Sequence, residues 1–444
     1  MTDIVSGAVI EAASEPIDYA DMRRRVKAIF IGSIGNLVEW YDFYVYTAFA
    51  LYFAPSFFPG ADPVLQQRDA AFFFWAGFIV RPLGGWLFGC LADRYGRRGA
   101  LMTSVLLMCF GSLMIAVMPT YASIGVAAPL LLGLARVIQG VSLGGEYGTS
   151  ATYLSEVADP KRRGFYSSFQ YVTLIGGQLS AILVLLILQK LFLTEAEIKE
   201  WGWRIPFAIG ALLAIVAAVM RSNLPETEAF EEARKKTATT NSLKALLAHP
   251  REVLLVIGLT LGGTCAFYTF TVYMQPFLKL SVGLDADTTT LVVAGSLIFA
   301  MVLQPIYGFI SDHIGRRPVL TWFGVCGLVF TYALLSGIQA TKSAFAAWCL
   351  ICFAWIIVAG YTSINAIVKA ELFPTRIRAT GVGLPYSLTV SIFGGTAPLI
   401  ALQFKSMGRE SWFYWYLTAC ILVSLVIYVS MRDTKLQSAM DRHE

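Results

Sequence analysis

Two ten-residue strings, half a chain apart, constrain this sequence more than anything else in it. Gly89-Cys-Leu-Ala-Asp-Arg-Tyr-Gly-Arg-Arg98 returns as Gly308-Phe-Ile-Ser-Asp-His-Ile-Gly-Arg-Arg317, and each copy lies between two long apolar runs. Both read G-x-x-x-D-x-x-G-R-R, so the chain is duplicated, with one short cationic loop per half. The glycines Gly96 and Gly315 suit a tight turn between neighbouring helices. Asp93 and Asp312 suit a helix end, where a carboxylate meets unpaired amides and the positive end of the dipole. The arginine pairs favour the anionic, cytoplasmic side of a bilayer.

The apolar runs themselves are long enough to span. Of 444 residues only 14% are charged and 57% are hydrophobic, against about 25% charged in an average soluble domain. The bilayer is therefore the solvent for most of the chain. Twelve runs are expected to cross it, at about 26–54, 70–92, 99–119, 127–154, 164–190, 203–221, 252–278, 287–310, 318–338, 343–371, 379–403 and 411–431. The expected fold is an all-α polytopic membrane protein, with twelve transmembrane helices in two six-helix pseudo-repeats. The expected organisation is a tail over 1–25, a bundle over 26–221, a charged linker over 222–251, a second bundle over 252–431 and a tail over 432–444. Lys and Arg outnumber their counterparts on the opposite face by about three to one if both termini are cytoplasmic, which sets the expected orientation. The net charge of +5 is that bias rather than a nucleic-acid footprint. The three histidines, His249, His313 and His443, lack ligand spacing, so no metal and no cofactor are expected. The seven cysteines fall in or beside apolar runs and read as free thiols.

Few ionisable groups remain at membrane depth: Glu39, Asp42, Arg81, Arg136, Glu146 and, nearer the cytoplasm, Lys369 and Glu371. Each costs at least about 2.5–3.5 kcal/mol at a helix centre unless paired or hydrated, so each is a functional candidate. Glu39 and Asp42 share one helix face at i, i+3 and are candidates for proton coupling, with Arg136 as partner; the alternative is a permanent structural ion pair. Arg136 starts a stripe with Gly140, Gly144 and Gly148 that suits close helix packing. Arg81 either meets an anionic substrate or neutralises Glu39. Lys369 reads as a gate or snorkelling lysine. A cytoplasmic gate is expected from Asp93, Arg97, Arg98, Glu156 and Arg163 in the first half and from Asp312, Arg316, Arg317, Lys369, Glu371 and Arg378 in the second. Gln170, Gln178, Tyr268, Thr269, Tyr273, Asn365 and Tyr386, with Arg81 and Arg136, are candidates to line a substrate cavity.

These strings carry a resemblance. The doubled loop and the twelve-run pattern resemble the major facilitator superfamily. Asn36-Leu-Val-Glu-Trp-Tyr-Asp-Phe43, Arg81-Pro-Leu-Gly-Gly85 and Gly144-Gly-Glu-Tyr-Gly148 resemble its metabolite:proton symporter branch. The resemblance implies a monomeric, multi-pass inner-membrane carrier, not an enzyme, that imports a small dicarboxylate such as 2-oxoglutarate with a proton by alternating access. It also implies that Asp42 pairs with Arg136 and that Gln170 and Gln178 meet substrate. Citrate, shikimate or a zwitterion such as proline or betaine remain open as substrates. A non-transporting sensor or enzyme stands as the remote alternative, since no soluble output domain or catalytic cluster is visible.

Overall fold

A computed structural model describes residues 19–60, 62–95, 97–144, 147, 151, 155, 158–222, 246–374, 377–436 and 438–440. Among them the secondary structure is helical throughout. The twelve expected spans all appear: α1 Tyr19–Phe57; α2, broken into Pro63–Ile79 and Arg81–Tyr95; α3 Arg97–Val117; α4 Ala127–Gly144; α5 Arg163–Ile187; and α6 Arg204–Ser222. In the second half, α7 runs from Pro250 to Val282 and is interrupted by π-helical turns at Thr269–Tyr273 and Leu278–Val282. It is followed by α8 Ala286–Ile314, α9 Arg316–Ala340, and α10 in two pieces, Ala344–Thr362 and Asn365–Leu372. Helix α11 combines Arg378–Thr389, a π turn at Val390–Gly394 and Ala397–Ser406, and α12 is Ser411–Ser430. Nine described helices are long and apolar enough to cross a membrane on their own, and a bent pair ending in Arg204–Val219 makes a tenth.

Helix starts and stops follow local chemistry. Asp285 caps α8 by accepting from the Thr288 amide at 2.9 Å, and Ser343 does the same for α10 through Ala346 at 3.3 Å. The repeated loop makes its turn at Gly315, whose φ of 98° is open to glycine. A Cβ there would also come within 2.3 Å of the Asp433 carboxylate. Asp433 accepts from the Arg316 and Arg317 amides at 3.2 and 3.1 Å, capping the start of α9.

Gly140 and Gly144 of the expected stripe lie where α2 and α4 cross, and Gly148 lies outside the described residues. A Cβ on Gly140 would lie 1.9 Å from the Gly77 carbonyl, and one on Gly144 would lie 2.1 Å from the Arg81 carbonyl. Backbone therefore meets backbone, a packing only the smallest residue permits. Between halves, α5 packs against α8 and α2 against α11. At the end bearing the Gly308–Arg317 loop, a Cβ on Gly308 would meet the Gly164 carbonyl at 2.6 Å. At the opposite end, Lys190 pairs with Asp287 at 2.5 Å, Gln178 Nε2 donates to the Thr271 carbonyl at 2.9 Å and Gln275 Nε2 to the Ala48 carbonyl at 3.0 Å. The halves touch at both ends, so the arrangement is occluded.

Candidate functional site

Two polar clusters sit in the apolar interior. The first surrounds Asp42 on α1, which is fully buried. Ser112 of α3 donates to Asp42 Oδ1, and Gln139 of α4 donates through Nε2 to Asp42 Oδ2 at 3.3 Å and to Ser112 Oγ at 2.8 Å. Arg136 is also fully buried and donates through Nη1 to Gln139 Oε1 at 2.7 Å. The sequence places Asp42 against Arg136 directly. The structure brings them into one cluster but interposes Gln139, and among the described residues no carboxylate lies within 4 Å of the guanidinium. The Arg136 charge instead rests on the rings of Phe43 and Tyr46, each 4.4 Å from its centroid. Such contacts contribute about 2 kcal/mol when desolvated, less than the several kcal/mol that burying a cation costs. Glu39 is buried one turn away on α1.

The second cluster lies between the halves. Helix α2 breaks at Arg81-Pro82, where proline supplies no amide. The Arg81 backbone is pressed against Gly144, which fixes where its side chain starts. The buried guanidinium stacks on Phe78, Phe43 and Trp40 at 3.9, 4.8 and 5.1 Å, and its Nε and Nη2 have no hydrogen-bond partner among the described residues. The Tyr44, Tyr268 and Tyr386 hydroxyls lie within its field. From the second half comes Lys369. The sequence assigns it to a gate; the structure buries it completely in the centre. The break between the two pieces of α10 carries it there. Lys369 Nζ donates to Asn365 Oδ1 and, at 3.5 Å, to Tyr147 Oη, and stands 3.8 Å over the Tyr386 ring. Tyr386 in turn stacks on Tyr147 at 3.7 Å and meets the Tyr171 hydroxyl at 3.5 Å. Arg81 and Lys369 thus reach one aromatic group from opposite halves, and among the described residues neither has a carboxylate within 4 Å.

Other sequence candidates fall elsewhere. Tyr273 leaves the centre: its hydroxyl donates to Glu410 at 2.8 Å, beside Ser281 at 2.5 Å, Gln339 at 2.9 Å and Lys405 at 3.3 Å, a cluster that ties the outer ends of α7, α9 and α11 to the start of α12. Thr269 bonds its own helix through the Cys265 carbonyl at 2.7 Å. Gln178 serves the contact between halves described above, and Gln170 is buried on α5. At the loop end, Asp312 accepts from the Gly164 and Phe165 amides at 2.8 Å each, so a carboxylate of the second half caps α5 of the first. Arg316 pairs with Asp312 at 2.8 Å and with Glu371 at 3.4 Å. Glu371 also accepts from Thr434 at 2.6 Å and feels Arg163. Arg317 donates to the Val429 carbonyl at 2.5 Å and Arg378 to the Phe373 carbonyl at 3.2 Å. The side chains of Asp93, Arg97 and Arg98, and all of Glu146 and Glu156, lie outside the described residues.

The family model described as sugar (and other) transporter matches residues 28–246 and 228–444. The chain belongs to the major facilitator superfamily. It is 49% identical to the alpha-ketoglutarate permease of Escherichia coli K12, over 94% of this chain and 95% of that one. It is 34% identical to a citrate-proton symporter of Salmonella typhi, over 90% and 92% of the two chains. To a proline/betaine transporter of Salmonella typhimurium it is 32% identical, over 92% and 83%. Its fold matches a crystal structure of a D-xylose-proton symporter with a TM-score of 0.74 at 18% identity, over 93% of this chain and 99% of that chain. Like other members of this superfamily, the chain is a multi-pass membrane transporter and not an enzyme.

Ser112, Gln139, Tyr44 and Tyr147 belong to the two central clusters and are absent from the sequence candidates, as is Glu410 in the outlying one. Gln139 carried a usable signal, standing three residues after Arg136 and hence on its face. Ser112 carried none.

Proposed function

We propose that this transporter is a proton symporter that imports a small dicarboxylate, 2-oxoglutarate first among candidates, by alternating access of its two halves. Both termini would be cytoplasmic, which makes the Gly308–Arg317 end the inward face. The observation that carries the substrate reading is the pair of buried cations, Arg81 and Lys369, one per half, without a carboxylate counter-ion among the described residues. An unpaired buried charge is costly, and a dianion supplies both missing partners at once. One carboxylate takes the Nε–H and Nη2–H edge of Arg81, which has no partner among the described residues, as a two-pronged acceptor; the other takes the ammonium of Lys369. A substrate held by both halves also bridges them, which links its binding to their rocking.

Proton coupling rests on Asp42, an acid buried beside Arg136 and away from the two cations that would hold substrate. The similarity to the alpha-ketoglutarate permease supports 2-oxoglutarate; the citrate relative favours a second anionic substrate with one more carboxylate. A zwitterion leaves one of the two cations uncompensated. Uptake of labelled 2-oxoglutarate in a cell lacking its own carrier tests the reading, with citrate, shikimate and proline as competitors. Saturable uptake blocked by unlabelled 2-oxoglutarate and not by proline is expected. Uptake of proline with no competition by any dicarboxylate would overturn it.

A further inference from the structure

The interposed glutamine suggests how protonation is read out. We propose that Gln139 is the positioning residue that converts protonation of Asp42 into release of Arg136, by reversing its side-chain amide; this rests on the reading of Asp42 as the proton site. The orientation of the amide in the structure is dictated by its neighbours. Arg136 has only donors to offer, so the amide oxygen must face it. An ionised Asp42 has only acceptors, so the amide nitrogen must face the carboxylate. The distances agree: Oε1 lies 2.7 Å from Arg136 Nη1, and Nε2 lies 3.3 Å from Asp42 Oδ2 and 2.8 Å from Ser112 Oγ. Gln139 is fully buried, so water does not relieve a mismatch at either end.

Protonation changes one of these constraints. With the proton on Oδ2, that atom becomes a donor aimed at the amide NH2, and two donors face each other. Turning the amide by half a revolution presents its oxygen to the new O–H. The same turn points the NH2 at Arg136 Nη1, which loses its acceptor. The guanidinium, whose Nε and Nη2 have no hydrogen-bond partner among the described residues, then rests on the rings of Phe43, Tyr46 and Phe74. With the proton on Oδ1 instead, Ser112 would have to give up its donation to that oxygen, and Gln139 already occupies one of its lone pairs. Arg81, the cation that would hold substrate, shares the Phe43 ring with Arg136, at 4.8 and 4.4 Å from its centroid.

The cluster is shaped for this side chain. A Cβ on Gly111 of α3 would lie 2.7 Å from Gln139 Cγ, and one on Gly210 of α6 would lie 2.1 Å from Asp42 Oδ1. The titratable groups around it are otherwise committed. Tyr41 on α1 donates to the Pro206 carbonyl at 3.2 Å, and Cys109 on α3 to the Ala211 carbonyl at 3.4 Å. Tyr46 on α1 donates to the Ala70 carbonyl at 2.9 Å. Glu39 lies one turn back on α1, and Arg81 on α2 rests on the same Phe43 ring as Arg136.

The test compares variants in proteoliposomes with an imposed proton gradient, reading uphill accumulation of 2-oxoglutarate and its pH profile beside exchange of pre-loaded substrate. Gln139→Leu removes both functions of the amide. It should lower accumulation about tenfold, within the usual range for coupling between two sites, with a smaller effect on exchange and a flattened pH profile. Gln139→Glu keeps size and polarity if the leucine variant does not fold. Its carboxyl reproduces the donor–acceptor pair only when protonated, so coupled accumulation should survive only at the acidic end of the wild-type profile. Wild-type accumulation and pH profile in either variant would overturn the relay. Asp42→Asn separates the two ideas: if it abolishes accumulation while Gln139→Leu does not, the relay fails and the proton site stands. If Asp42→Asn still concentrates substrate, the proton site itself is wrong.

Discussion

Replacing Lys369 by methionine keeps the length and apolar stem of the side chain and deletes the charge. Two consequences of opposite sign follow. In the empty protein Lys369 is fully buried with Asn365, Tyr147 and the Tyr386 ring as its partners. Burial of an uncompensated cation costs several kcal/mol, and a contact with one ring returns about 2 kcal/mol. Asn365 Oδ1 keeps a donor after the change, since Tyr147 also reaches it at 3.2 Å. The empty Lys369→Met protein should therefore be no less stable than wild type. With substrate the sign reverses. A hydrogen bond to a charged group contributes about 1.5–3 kcal/mol, and 1.4 kcal/mol is a factor of ten, so affinity should fall about 10- to 100-fold. At a free ligand concentration about 100 times the wild-type Kd, binding stabilises wild type by about 2.7 kcal/mol. For a variant binding about 30-fold more weakly, the same relation leaves about 0.9 kcal/mol. Thermal unfolding of detergent-purified protein, with and without 2-oxoglutarate, measures both quantities in one experiment. A variant that is destabilised when empty yet keeps the full ligand-induced shift would refute the argument and make Lys369 a structural residue.

Gly140→Ala forces a methyl to 1.9 Å from the Gly77 carbonyl, and overpacking of that kind costs about 1–3 kcal/mol or more; Gly337→Ala meets only Leu350 Cδ1 at 3.5 Å and should gain slightly from helix propensity. Comparing folded yield after detergent extraction separates the two, and equal yields would count against backbone packing of α2 on α4. Asp312→Ala deletes the carboxylate that caps α5 across the halves and leaves Arg316 with Glu371 and the Ser311 hydroxyl, so the loop end should open more often. The readout is faster labelling of cysteines placed at that end, and unchanged labelling would rule out a gate there. Uptake should collapse with a protonophore and rise with an inward proton gradient; a strict sodium requirement in vesicles would contradict the role given to Asp42.

What the sequence discloses here is what leaves a trace in one dimension. The spans are legible because a bilayer demands unbroken apolar runs. A close helix contact along α4 is legible because backbone contact demands glycine at every fourth position, although its partner α2 is not, and Arg81, Asp42 and Arg136 are legible because charges at that depth are expensive. The relation between Asp42 and Arg136 was not, because the group between them is uncharged. A glutamine or serine in an apolar helix bonds its own backbone as readily as a neighbour, so Gln139 and Ser112 do not announce themselves. Lys369 and Tyr273 were misplaced for another reason. Helix α10 breaks after Thr362, and α7 carries a π turn at Thr269–Tyr273. The break carries Lys369 to the interior and the π turn changes the face that Tyr273 presents, and neither irregularity is visible in the sequence.

The approach of Gly308 to Gly164 has a practical side. Two helices from different halves meet there backbone to backbone at Gly308 and Gly164, so closure at that end needs empty space at these two positions as well as the Asp312 cap and its ion pairs. One added methyl acts as a doorstop. A variant such as Gly308→Val would hold the carrier ajar at a chosen end while leaving its charged residues intact. Antibodies or inhibitors could then be raised against a face that the occluded protein hides.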